Sequence, residues 1–112
     1  MSTAPGTGFS YEIEQGKTEE GFNLTIVKCK GRLISENAEQ LRQVVRPLIL
    51  QGGRIAIDFA DLDYMDSAGL GAVVSLKVSA ISRGLCVLEL VNLTPRIKKL
   101  LTMTNLMQLF TT

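Results

Sequence analysis

The run Asp58-Phe59-Ala60-Asp61-Leu62-Asp63-Tyr64-Met65-Asp66-Ser67-Ala68-Gly69-Leu70-Gly71 gathers four carboxylates, one serine and two glycines. It lies where an apolar, alternating stretch gives way to a helical pattern. Clustered carboxylates are what a hard divalent cation or an acid–base pair requires. Glycines at a helix start can cradle a phosphate, and a serine there is either a cap or a modification site. The acids do not follow the calcium-loop spacing. The run also has no lysine and no G-x-x-x-x-G-K-[ST] pattern. The acids are therefore read as solvated groups that favour the turn and the helix start. Asp58 is expected to end the strand, and Asp66 to be a hydrogen-bonding neighbour of Ser67. The chain has no histidine, which removes the usual general base and the commonest metal ligand. No catalytic residue, metal or cofactor is expected.

Attention then falls on Ser67. Its plain structural role is a satisfied N-cap. Asp66 is an equally good capping type, so one residue can cap while the other stays free. Gly69 and Gly71 are expected to leave a bare helix surface for another backbone to approach. Met65 and Leu70 are expected to be exposed apolar residues around the polar centre, as in a protein interface. The proposed partner-binding set is Asp63, Met65, Asp66, Ser67, Ala68, Gly69, Leu70 and Gly71.

The elements that must hold this set read in order along the chain. Residues 1–8 form a loose lead-in without the features of a signal peptide. Phe9 to Gln15 alternates as a half-buried strand, and Gly16 to Gly21 is a hairpin loop. Phe22 to Lys30 is a second strand. Ser35 is a helix N-cap ahead of Ala38, Leu41, Val44, Val45 and Leu48 at helical spacing. Pro47 is expected to kink or end that helix near Arg46. Arg54 to Phe59 is a third strand. A second helix runs from Ser67 to Arg83, with Ala72, Val73, Leu76, Ala80 and Ile81 as its apolar stripe and Gly84 as its C-cap. Leu85 to Val91 reads as a central strand buried on both faces. Thr94-Pro95 starts a third helix with Ile97, Leu100 and Leu101 inward, and Leu106 to Thr112 reads as a last strand. The order β-β-α-β-α-β-α-β predicts an α/β fold: one mixed, mostly parallel sheet over residues 9–112, with helices on one side.

The composition agrees with one packed domain. Of 112 residues, 46% are hydrophobic, enough for a core without disulfides or metal. The net charge of +1 gives no case for nucleic acid. No apolar stretch reaches the roughly 20 residues a membrane span needs. Cys29 and Cys86 fall in apolar strands and are expected to be free, buried thiols in a reducing, cytoplasmic compartment.

The run D-F-A-D-L-D-Y-M-D-S-A-G-L-G, followed by a helix, then G-L-C-V-L-E-L and N-L-T-P-R-I-K-K-L-L, resembles the STAS-domain family of anti-sigma-factor antagonists, from about Tyr11 to Phe110. The resemblance implies that Ser67 is phosphorylated by a partner that is both serine kinase and anti-sigma factor. It implies that the unphosphorylated form binds that partner and frees the sigma factor, and that a serine phosphatase reverses the modification. It also implies an alternative: a scaffold, or a soluble subunit of a stress-signalling or transport assembly, without phospho-switching. Two departures stand out. Ile34 occupies a position where the family often has an aspartate, and the family's last C-terminal helix has no counterpart before Thr112. The second departure predicts exposed apolar surface near Leu106, Leu109 and Phe110, and with it a homodimer.

Overall fold

The computed structural model describes residues 2–4, 8–84 and 86–110. The elements are β1 (Ser2–Ala4), β2 (Phe9–Lys17), β3 (Asn23–Leu33), α1 (Ala38–Gln51), β4 (Gly53–Met65), α2 (Ser67–Arg83), β5 (Cys86–Val91), α3 (Pro95–Met103) and a 3-10 turn, Met107–Phe110. The strands form one sheet in the order β1-β2-β3-β4-β5. The β1–β2 and β2–β3 pairs are antiparallel; β3–β4 and β4–β5 are parallel. The helices lie on one face of this mixed sheet, because the right-handed crossovers β3-α1-β4 and β4-α2-β5 step in the same direction across it. Within the expected lead-in, Ser2–Ala4 pairs with β2.

The core is built from alternate strand residues. Phe9, Val27, Cys29, Leu33, Ile55, Ile57 and Phe59 face α1 and α2, which contribute Leu41, Val45, Ala72, Val73 and Leu76. On the helix-free face, ion pairs cross the strands: Lys28–Glu14 at 2.9 Å, Lys30–Glu12 at 3.5 Å and Arg54–Glu89 at 2.7 Å. Glu14 and Glu89, bonding to Lys28 and Arg54, hold these two cations above their usual pKa.

β4 is much longer than the strand expected at Arg54–Phe59. It carries two bulges against β3, because Lys28 pairs with Asp58 but Lys30 with Asp61, and Gly31 with Leu62 but Arg32 with Tyr64. Each extra residue shifts the side-chain phase by one. Buried positions therefore fall at Phe59, Leu62 and Met65, a spacing that resembles a turn more than a strand. Asp58 lies inside the strand, and its Oδ1 accepts from the Ala60 N–H at 2.9 Å, within the first bulge.

Other expectations are also corrected. α1 starts at Ala38, with Asn37 rather than Ser35 at the N-cap position. Asn37 is buried: Oδ1 accepts from the Ile34 N–H at 2.9 Å, and Nδ2 donates to the Arg32 carbonyl at 3.0 Å. These bonds hold residues 34–37 as a turn and delay the helix. Of the two outcomes expected at Pro47, an end near Arg46 is overturned, since α1 continues through Pro47 to Gln51. Pro47 and Gln43 both face solvent, so the carbonyl that loses its partner remains hydratable, while Leu48 and Ile49 bury the last turn.

β5 is an edge strand, not a central one, and Val87 is 51% exposed. An all-apolar run cannot by itself distinguish these positions. Ile81, expected in the core stripe of α2, is exposed. Leu106–Phe110 is not a strand: Asn105 adopts φ 60° and turns the chain back, and the Leu106 N–H donates to the Leu101 carbonyl at 2.9 Å. Leu106, Met107 and Phe110 then pack on the core instead of standing exposed. Thr111 and Thr112, the end of the expected strand, lie outside the described residues.

Candidate functional site

The site forms where β3 and β4 end and α2 begins, at the carboxyl edge of the parallel strands. Ligands of open α/β sheets collect at this edge. Asp66 is the single residue between β4 and α2. Its extended backbone and side chain make it the N-cap of α2, with Oδ1 accepting from the Gly69 N–H at 2.9 Å. Its Oδ2 accepts from the Ser35 N–H at 3.2 Å, and its own N–H donates to the Leu33 carbonyl at 3.2 Å. One carboxylate thus ties the start of α2 to the loop after β3.

Because Asp66 caps, Ser67 is left as the first helical residue with its side chain exposed. No hydrogen bond holds its hydroxyl among the described residues. Asp63 and Gly71 are also exposed, and Asp66 and Ala68 are half-buried. Asp66, Ser67 and Ala68 are consecutive, and Asp63 and Gly71 flank them in the chain.

The other three members of the expected set are buried. Met65 is turned inward by the second bulge, and Leu70 joins the core because the first turn of α2 is seated directly on β3. Gly69 supplies that seating. A Cβ on it would collide with the Leu33 carbonyl, so the residue allows close approach inside the protein rather than outside it. A Cβ on Gly71 would meet nothing within 4 Å, so Gly71 alone provides the bare surface expected of both glycines.

Sequence reasoning missed two features here. Asn37 organises the loop that Asp66 holds. A cleft of about 620 Å³ lies at the same edge, lined by Arg32, Asp63, Tyr64, Thr94 and Arg96 among others. The Arg32 guanidinium lies 5.4 Å from the Tyr64 ring centre. Only the bulged register makes Arg32 and Tyr64 cross-strand partners. Arg96, in the first turn of α3, borders this cleft.

Chemically, the arrangement offers an outward hydroxyl with no base on it. No group of three His, Cys, Asp or Glu side chains among the described residues is placed to hold a metal ion. The helix N-terminus favours a dianion on Ser67, while Asp63 and Asp66 oppose it.

A family model described as the STAS domain matches residues 16–112. No curated protein matches the chain. Among solved structures, the unphosphorylated anti-sigma factor antagonist SpoIIAA is 23% identical at a TM-score of 0.71, with 90% of this chain covered and 85% of that one. The phosphorylated form of SpoIIAA, from Bacillus, is 24% identical at a TM-score of 0.66, covering 90% and 88%. An anti-sigma factor antagonist from Mycobacterium paratuberculosis is 16% identical at a TM-score of 0.73, covering 98% and 88%. At these identities the likeness to the structures is one of fold.

Proposed function

The chain belongs to the STAS-domain family, and from that premise we propose that it is an anti-sigma-factor antagonist switched by phosphorylation of Ser67. The observation that carries this reading is the division of labour at the start of α2. Asp66 does the capping, which leaves the Ser67 hydroxyl exposed and free of structural duty.

The chain contributes the acceptor and not the catalyst. Ser67 Oγ attacks the γ-phosphorus of ATP held by the partner kinase. The new P–O bond forms as the bond to the ADP oxygen breaks. The hydroxyl proton passes to a base of the kinase, since Ser67 has none beside it. The product gains about 1.5–2 negative charges. Capping by Asp66 does not involve Ser67, so the fold is unchanged. The effect falls on the complex, where a surface fitted to a hydroxyl would have to desolvate a phosphate. A penalty of about 3–4 kcal/mol weakens binding several hundred-fold. A serine phosphatase restores the binding form. This assigns the chain a cytoplasmic, non-enzymatic role.

The test uses the purified chain, a serine-kinase anti-sigma factor of the same organism, and ATP. Intact mass should rise by one phosphate, and Ser67→Ala should gain none. Ser67→Asp should keep the circular dichroism spectrum and bind the kinase far more weakly. Phosphate found only at other residues removes the switch. Undiminished binding by Ser67→Asp would favour the scaffold reading.

A further inference from the structure

α2 has an outer face unlike that of an ordinary surface helix. At about 100° per residue, Ser67, Gly71, Val74, Val78 and Ile81 lie within about 40° of one line along the helix. That line is opposite the core residues Val73, Leu76 and Ala80. Val78 is 49% and Ile81 58% exposed, and Val74 is half-buried. The solvent side of the helix carries no charge before Arg83, because Lys77 is buried, with Nζ donating to the Leu88 carbonyl at 2.7 Å. A helix apolar on both sides is normally covered on both sides. The spacing 4-3-4-3 along the line is that of a seam against a second helix.

Two observations bear on what covers it. First, Ser67 and Gly71 are the upper end of the same line, so the face is continuous with the switch surface. Second, its α1 side has a basic rim. A cleft of about 260 Å³ brings together Arg46, Ile49, Leu50, Ser79 and Arg83, and Leu50 is 60% exposed. Arg42 also reaches α2, through Nε to Ser75 Oγ at 3.3 Å. Glu39 faces both Arg42, at 3.2 Å, and Arg46, at 3.4 Å, so one carboxylate serves two cations and Arg83 adds a third. A second copy docked antiparallel would set these rims against each other.

We propose that the outer face of α2 is the main docking ridge for the kinase partner, and that it receives a helix with an apolar seam and an acidic flank. This rests on the reading of Ser67 as the partner's target. Ser67 then lies at one end of a longer interface. The ridge supplies affinity, and the phosphate vetoes docking at its head.

The experiment measures affinity by calorimetry between the purified serine-kinase anti-sigma factor and five forms of the chain: unmodified, Val78→Asp, Ser67→Asp, Val87→Asp and Arg83→Glu. Circular dichroism verifies folding of each, and sedimentation gives the oligomeric state. Val78→Asp should lose about 30-fold or more, the scale of a central interface residue. Val87→Asp, on the helix-free face, should bind as the unmodified chain does. Arg83→Glu should weaken binding and reduce its dependence on salt, and affinity equal to the unmodified chain's at low and high salt would overturn the acidic flank. Unchanged affinity in Val78→Asp overturns the ridge, and leaves the switch intact if Ser67→Asp still loses binding. Loss in Val78→Asp with full binding by Ser67→Asp sinks the switch and keeps the ridge. An unmodified dimer that Val78→Asp splits assigns the face to a second copy and overturns the proposal.

Discussion

Gly69 and Gly71 are two residues apart and have opposite duties. Gly69 lets the α2 backbone rest on the Leu33 carbonyl, and Gly71 lies in open space. Gly69→Ala should therefore destabilise the protein by about 1–3 kcal/mol, the range for forcing atoms into a packed site. Gly71→Ala should stabilise it by up to about 1 kcal/mol, from helix propensity alone. Urea denaturation of the two variants checks the pair; equal effects would contradict this seating of α2. The D-S-x-G-L-G pattern places both glycines at the start of a helix, and sequence reasoning assigned them one role. Which of them contacts the interior depends on the approach angle of β3, which no local pattern encodes.

At the scale of elements, α1 contains an internal contradiction. Pro47 has no N–H to donate and crowds the Gln43 carbonyl, yet the helix runs on to Gln51. Burial of Leu48 and Ile49 outweighs the local preference. Pro47→Ala should raise the unfolding free energy by about 1–3 kcal/mol, since an interior proline costs about 3 kcal/mol against alanine and part of that is already relieved by solvent. The rise should appear in the denaturation midpoint without a change of slope. β4 shows the same override in a strand. Its bulges break the alternation, so the residues after Phe59 read as a turn although they are paired.

For the molecule as a whole, the least solvated titratable group sets an alkaline limit. Burial, and secondarily the charge of Asp58, push the Cys29 thiol from 9.0 up to about 12. The folded state thus holds this proton more tightly than the unfolded chain does. The resulting stability is complete below the unfolded thiol's pKa and is lost as pH rises from about 9 to about 12. The comparison that isolates the effect is with Cys29→Ala. That variant should be less stable at neutral pH, because it leaves a cavity, and the gap should narrow as pH rises. A gap constant from pH 7 to pH 11 would show the thiol to be hydrated.

The sequence by itself determined the element order for most of the chain, the limits of α2, its Gly84 cap, the Thr94-Pro95 start of α3 and the hydroxyl at Ser67. These follow from periods, caps and short motifs, which act over a few neighbouring residues. Only the tertiary structure decided that Met65, Gly69 and Leu70 turn inward, that β5 lies at an edge, that Asn37 organises the loop beside the site, and that Val78 and Ile81 remain uncovered. Those outcomes depend on strand register and on which surfaces meet, and contacts between residues far apart in the chain leave no periodic trace along it.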